Sequence, residues 1–211
     1  MSFSNVLLRS TIVLGFLGAV TVRAGIDLTP SVSEYTAEGT KFQQLSFHDS
    51  KQRIEYELPS GWSFDGNANE LRVKPPQKTF AEGVIQPTPL TKAQPLDESV
   101  RNSLKQKVLA ELPAGSQLAK IDQEIESPLL LNGQPTFEVI VSYQLLGDKF
   151  CRSALFGNRQ NTQWLFRFTA KKADFESLQS EFTRSILSWH WLESADSASQ
   201  GGGAGPPSAS R

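Results

Sequence analysis

The chain contains few of the residues that build disulfide frameworks and catalytic sites. Its 211 residues include one cysteine and two histidines, and 21 lysines and arginines face 22 aspartates and glutamates. Cys151 has no partner in the chain, so no internal disulfide forms, and we expect it in the core because free cysteine is often buried. Neutralising phosphates requires a basic surface, so the even charge argues against nucleic acid as a partner.

Motifs of enzyme chemistry are also missing. The sequence has no G-x-S-x-G elbow, no H-E-x-x-H or paired C-x-x-C metal signature, and no glycine-rich loop of the phosphate-binding type. His48 is expected where a strand ends and His190 where a helix ends, positions more typical of surface residues than of catalysts. The sequence therefore predicts a non-enzymatic protein with no cofactor and no catalytic residue.

Residues 1–24 have the pattern of a cleaved export signal. Arg9 precedes an apolar run from Thr11 to Val22, which is too short for a bilayer because spanning needs about 20 apolar residues. Val22-Arg23-Ala24 then supplies small or branched residues at a cleavage site. The prediction is an extracytoplasmic protein, periplasmic or secreted, with no membrane span after cleavage.

The remaining chain divides into three parts. Residues 25–40 are polar and predicted to be flexible, and residues 41–193 carry the patterns of one α+β domain. Residues 194–211 are rich in Ser, Ala, Gly and Pro and have no large apolar residue. Such a tail buries too little surface to offset its ordering entropy, so disorder is predicted.

Two helices are predicted inside the domain. Asp97 can cap the first, which runs to about Leu112 with Val100, Leu104 and Val108 on one face. Asp174 is predicted to cap the second. Its apolar stripe has helical spacing and is typical of a helix docked on a sheet; the stripe consists of Phe175, Leu178, Phe182, Ile186 and Trp189.

Alternating residues predict several strands. Ile54, Tyr56 and Leu58 alternate with polar residues, as in a half-buried strand. Trp164, Phe166 and Phe168 share a face that either packs in the core or lines a ligand pocket. Asn132-Gly133 between apolar runs predicts a tight hairpin, because both residues tolerate a positive φ; the nearby Pro135 allows a slightly longer turn.

The stretch from Pro75 to Pro95 contains five prolines and is predicted to be a long connection with one short strand near Gly83 to Gln86. Loops carry function more often than cores do, so it is a candidate interaction segment, although simple linkage explains it equally well. The candidate interaction residues are Pro75, Pro76, Phe80, Ile85, Pro87 and Pro89.

Three acidic residues form the weakest candidate site. Asp122, Glu124 and Glu126 recur at every second position, which places them on one face of a strand. Three carboxylates in a row could bind a hard cation weakly. A solvated outer strand face explains the same pattern.

The order of these motifs resembles a known group. Leu58-Pro59-Ser60-Gly61-Trp62 after a strand, the Asn132-Gly133 hairpin and a terminal aromatic strand and helix resemble the PsbP-like superfamily. That group includes an extrinsic protein of photosystem II and a Ran-release factor, and its exported bacterial members of unknown role look most similar. The resemblance implies an α+β fold in which helices flank a central antiparallel sheet on both faces, an α/β/α sandwich.

Together these features predict a binding or assembly module outside the cytoplasm, whose partner is another envelope or secreted protein. The alternative is a small-molecule carrier or an enzyme with a pocket between the sheet and a helix. The sequence leaves the ligand and the oligomeric state open.

Overall fold

The computed structural model of the protein describes residues 26–48 and 52–193. The predicted signal peptide, residues 1–24, and the predicted tail, residues 194–211, lie outside this part of the chain. Strands take up 55% and helices 17% of the fold. None of the helices within the described ranges is long and apolar enough to cross a membrane.

Strands and helices follow one another in a simple order. The elements are β1 (Ser31–Ala37), β2 (Thr40–His48), β3 (Gln52–Leu58), β4 (Ser63–Gly66), β5 (Leu71–Lys74), β6 (Glu82–Pro89), α1 (Glu98–Ala110), β7 (Gln117–Leu131), β8 (Gln134–Leu145), β9 (Asp148–Arg159), β10 (Thr162–Lys171), α2 (Lys172–Ile186) and β11 (His190–Glu193). β1 lies within the segment predicted to be flexible.

The strands form two antiparallel sheets. One has four strands in the order β1-β2-β3-β11, and the other has seven in the order β4-β5-β6-β10-β9-β8-β7. The four-stranded sheet and α2 share a core with one face of the seven-stranded sheet. α1 packs on the opposite face of that sheet, where Leu104 and Val108 meet Val139 and Phe156.

The expected α/β/α sandwich with one central sheet is wrong. A second sheet, rather than a helical layer alone, covers one face of the seven-stranded sheet. Leu45 and Phe47 of β2 and Ile54 and Tyr56 of β3 are buried against that face. An alternating pattern shows that a strand has one buried face, but it does not show which sheet the strand joins, so the sequence could not separate the two sheets.

The shared core, here called the α2-side core, is built around Trp189. The centroid of its ring lies 5.6 Å from the ring centroid of Phe47, 5.3 Å from that of Trp164 and 5.4 Å from that of Phe166. Phe47 comes from the four-stranded sheet, and Trp164 and Phe166 come from β10. Aromatic pairs at these distances stabilise a fold beyond their area burial, so Trp189 joins the two sheets.

The helix starts differ from each other. At α1 the Asp97 carboxylate accepts the Val100 backbone N–H at 2.9 Å, which confirms the predicted cap. The predicted Asp174 cap of α2 is wrong. α2 begins at Lys172 directly after β10, without a side-chain cap, and Asp174 lies in the first turn and pairs with Lys78 at 2.6 Å. No loop separates strand from helix, so the N-cap position is occupied by Lys171, the last residue of β10, whose side chain cannot accept a hydrogen bond from the helix.

The predicted Asn132-Gly133 turn is confirmed. These two residues alone connect β7 to β8, with φ angles of 49° and 77°. Both central residues of a type I′ hairpin turn need positive φ. The nearby Pro135 does not lengthen the turn.

The stretch from Pro75 to Pro95 contains the strand predicted near Gly83 to Gln86, and this strand is longer than expected. β6 runs through eight of its residues and lies inside the seven-stranded sheet, between β5 and β10. β5 pairs with β6 only as far as Ile85, so Pro87 and Pro89 have an unpaired edge on that side, where proline is tolerated. Gly83 allows close packing with α2, since an added Cβ would lie 2.7 Å from the Phe182 ring.

Candidate ligand pocket

The six candidate interaction residues do not form one surface. Ile85 is 0% exposed and belongs to the α2-side core, and Pro75 is buried as well. Pro87 is half-buried, while Pro76, Phe80 and Pro89 are exposed. Phe80, which is 59% exposed, is the large apolar side chain of the set that solvent reaches.

The three acidic residues Asp122, Glu124 and Glu126 each lie close to a basic residue. Glu124 pairs with Lys105 of α1 at 2.9 Å, and Glu126 pairs with Arg101 of α1 at 3.1 Å. A register shift between Ile121 and Gln123 places Asp122 in a bulge, where it lies 3.6 Å from Lys120. Nowhere in residues 26–48 and 52–193 do three or more His, Cys, Asp or Glu side chains come together in a way that could hold a metal ion.

The two histidines and the cysteine do not line the pocket on the α1 face of the seven-stranded sheet. His48 and His190 are exposed on strands that flank β3, opposite Arg53 and Glu55. Cys151 is buried in the α2-side core, as expected. Burial raises the pKa of its thiol, which is opposite to the change that favours a reactive thiolate.

A pocket of about 230 Å³ lies on the α1 face of the seven-stranded sheet, at the C-terminal end of α1. Strand register explains its floor, because residues opposite each other in a sheet point to the same face. Arg167 is opposite both Val84 and Ala154, and Thr169 is opposite Arg152. Pro113, just after α1, lines one side.

Two arginines dominate the charge of this pocket. Arg152 is 7% exposed; its Nη1 donates to the Glu111 carbonyl at 2.8 Å, and its Nε donates to the Thr169 hydroxyl at 3.1 Å. Arg152 therefore binds a free carbonyl at the end of α1. Burial lowers the pKa of its guanidinium, and the neighbouring positive charge of Arg167 lowers this pKa further.

Arg167 has no comparable structural role. It is half-buried and lines the pocket. Within the described ranges its guanidinium forms no ion pair and no hydrogen bond, and Arg152 forms no ion pair either. Like charges on neighbouring strands repel each other. The Glu111 carboxylate offsets part of the Arg152 charge, whereas the Arg167 charge has no such partner, so Arg167 is the unpaired cation of the pocket.

The acidic residue at the pocket does not neutralise this site. Glu82 contacts Arg72 at 3.0 Å and Lys74 at 3.5 Å. The charged lining consists of Lys74, Arg152, Arg167 and Glu82, three positive groups and one negative, which leaves a net charge of +2. The whole chain has a net charge of −1, so positive charge is concentrated here.

Phe80 and Tyr143 line the pocket next to the arginines, and Phe150 contacts both rings. The ring centroids of Tyr143 and Phe150 are 5.6 Å apart, and those of Phe150 and Phe80 are 6.3 Å apart. The Arg152 guanidinium lies 5.9 Å from the Tyr143 ring, and the Lys171 ammonium lies 4.7 Å from the Phe80 ring. Burial raises the pKa of Tyr143. The pocket therefore combines cations with an apolar wall.

Sequence reasoning did not find this pocket. Alternation along β10 places Arg167 and Thr169 on the face opposite Trp164, Phe166 and Phe168, but it does not bring Arg152 of β9 next to them. One signal was present: both arginines lie on faces that also carry apolar residues, Leu165 in β10 and Phe156 in β9. A charged residue on a buried strand face needs a partner or a role.

The fold defined by these two sheets and helices is PsbP-like, as the sequence motifs predicted. No family model and no curated protein matches the chain. The chain is similar to the solution structure of cyanobacterial PsbP from Synechocystis sp. PCC 6803, with a TM-score of 0.50 and 12% identity over 85% of this chain and 99% of that chain. A protein of unknown function from Pseudomonas aeruginosa also matches, with a TM-score of 0.37 and 12% identity over 74% of this chain and 93% of that chain.

Proposed function

We propose that this protein is a non-enzymatic binding module that acts outside the cytoplasm and recognises another envelope or secreted protein. The observation that carries the proposal is the exposed Phe80 in the same pocket as Arg167, whose guanidinium has no ion pair in the described ranges. Aromatic residues and arginine are enriched at protein interfaces, and residues of this kind dominate binding energies. The PsbP-like fold supports the proposal, since the members of the resembled group that have a known role bind partners.

The alternative function is a small-molecule carrier or an enzyme. The observation that favours a carrier is the position of the pocket, because Pro113 places it between the sheet and the end of a helix. The enzyme alternative would need a positioned acid, base or nucleophile. His48, His190 and Cys151, the residues considered for that role, do not line the pocket.

Affinity capture with matched variants tests the binding surface. The bait is the chain from Gly25 onward, and the sample is an envelope extract. Phe80→Ala should abolish capture of the partner, whereas Leu146→Ala should retain it, because Leu146 is 97% exposed but does not line the pocket. Both variants should unfold at the same denaturant concentration as the wild type.

A third variant tests the alternative. Replacing His48, His190 and Cys151 together by Ala should leave capture unchanged. If this variant loses the partner while it remains folded, and Phe80→Ala keeps it, the pocket is not the binding surface and the proposal fails. A Gly/Ser replacement of residues 75–95 is not a usable test, because it would remove β6 from inside the sheet.

The location is tested separately. The pattern from Arg9 to Ala24 supports cleavage before Gly25. N-terminal sequencing of the protein from extracytoplasmic fractions should read from Gly25, and an intact Met1 in that fraction would contradict export by cleavage.

A further inference from the structure

The pocket offers a specific chemistry to whatever binds it. Arg167 has free donors, and Arg152 lies diagonally next to it, because the Arg152 position is opposite Thr169, two residues from Arg167. A guanidinium is planar and presents paired N–H donors that fit an oxyanion in a bidentate manner. An anion bound here would relieve the repulsion between the two arginines.

The apolar part of the lining restricts which anion fits. Phe80, Val84 and Pro113 lie around the same cavity as the arginines. Its volume of about 230 Å³ corresponds to about eight waters at ~30 Å³ each, which exceeds the size of a bare carboxylate or phosphate. A ligand that fills the pocket therefore has an anionic head and an apolar body.

We propose that the pocket binds a carboxylate attached to an apolar or aromatic body, presented by the partner protein, with Arg167 as the main anion-binding residue. This inference rests on the proposed binding function. Arg152 supports the site by adding positive charge while it holds the end of α1. Phe80 contacts the body of the ligand at the pocket rim.

Benzoate is the direct probe, and benzamide is its uncharged analogue. Titration of the purified protein, followed by amide chemical shifts, should show saturable benzoate binding. Benzamide should bind more weakly than benzoate by a factor of about ten or more, because it loses one charge-assisted hydrogen bond. Equal binding of the two, or no benzoate binding, would overturn the proposal.

Arg167 variants identify the residue responsible. Arg167→Gln should weaken benzoate binding by about tenfold or more, and Arg167→Lys should recover part of the loss, because lysine keeps the charge but not the bidentate geometry. Arg184→Gln is the matched control, since Arg184 is exposed on α2 and does not line the pocket. If Arg167→Gln and Arg184→Gln bind benzoate equally well, Arg167 is not the anion-binding residue.

Acetate and inorganic phosphate separate the ligand classes. Benzoate should bind more tightly than acetate in the wild type, and this advantage should shrink in Phe80→Ala. Tighter binding of phosphate than of benzoate would overturn the carboxylate class. If benzoate fails to bind while capture of the partner still requires Phe80, the binding module stands and the carboxylate pocket alone is rejected.

Discussion

At the scale of single residues, Gly133 shows how backbone conformation constrains this sequence. Its φ of 77° lies in the left-handed region, and an added Cβ would meet nothing within 4 Å. Any cost of a side chain there therefore comes from the backbone and not from crowding. A β-branched residue is the most disfavoured of the apolar types in that region.

We expect Gly133→Val to lower the free energy of unfolding by at least about 1 kcal/mol. Gly133→Asn is the control and should cost much less, because asparagine enters the left-handed region more easily. Chemical denaturation of the three proteins measures both effects. Equal stability of the valine variant and the wild type would contradict the strain argument.

Tyr56 makes stability depend on pH at the alkaline end. Its ring is fully buried, and this burial raises the pKa of the phenol well above its ordinary value. The Ser185 hydroxyl donates to the Phe182 carbonyl at 2.7 Å, so Tyr56 is the donor in its 2.8 Å hydrogen bond with Ser185. The folded protein therefore keeps this phenol neutral at a pH where the unfolded chain ionises it.

The sign follows from proton linkage. Below about pH 10, the ordinary tyrosine pKa, both states hold the proton and stability is unaffected. Above it the unfolded chain loses the proton first, so Tyr56 lowers stability by about 1.4 kcal/mol per pH unit. Tyr56→Phe should remove the Tyr56 contribution to the fall in stability between pH 10 and 11. Tyr143, whose pKa is also raised, contributes equally to the wild type and to the variant. Parallel pH curves of the two proteins would contradict the prediction.

At the scale of elements, α2 is the helix that closes the α2-side core. Phe182 is 2% exposed, and its ring lies 5.5 Å from Phe168 of β10 and 6.4 Å from Trp62. The absence of a side chain at Gly83 lets the same ring approach β6. One side chain therefore connects the helix to two strands of the sheet and to the segment before β4.

We expect Phe182→Ala to cost about 3–5 kcal/mol, because it removes a buried ring and leaves a cavity. That is a large part of a typical stability of about 5–15 kcal/mol. Leu187→Ala, at an exposed position just after α2, should change stability by no more than about 0.5 kcal/mol. A denaturation midpoint of Phe182→Ala equal to that of the wild type would show that α2 does not pack on the sheet.

At the scale of the whole molecule, the two sheets share a core and should unfold together. All four tryptophans of the chain, Trp62, Trp164, Trp189 and Trp191, lie in the α2-side core. Tryptophan fluorescence therefore reports this core, whereas far-UV circular dichroism reports the strands and helices throughout. We expect the two denaturation curves to coincide, as in two-state unfolding. A fluorescence transition that precedes the circular dichroism transition would show that the four-stranded sheet separates first.

The sequence by itself determined the local features of this protein. The Asp97 cap, the Asn132-Gly133 turn, the apolar stripe of α2 from Phe175 to Ile186 and the PsbP-like motif at Leu58 to Trp62 depend on residues close together in the chain. Trp189, predicted as the last residue of that stripe, lies after the helix, which ends at Ile186. Their physical causes are equally local: hydrogen bonds across one helical turn, a backbone conformation and a repeat of 3.6 or 2 residues. The missing cap at α2 was not visible in this way, because Asp174 has the right type but lies inside the first turn.

The tertiary structure decided the division into two sheets, the place of β6 inside one of them, and the pocket. Strand periodicity shows that one face is buried, but pairing depends on contacts between residues far apart in the chain. The pocket needs Phe80 before β6, Arg152 of β9 and Arg167 of β10, which only strand register brings to one face. A single sequence contains each of these residues, but the free energy that places them together comes from packing of the whole sheet.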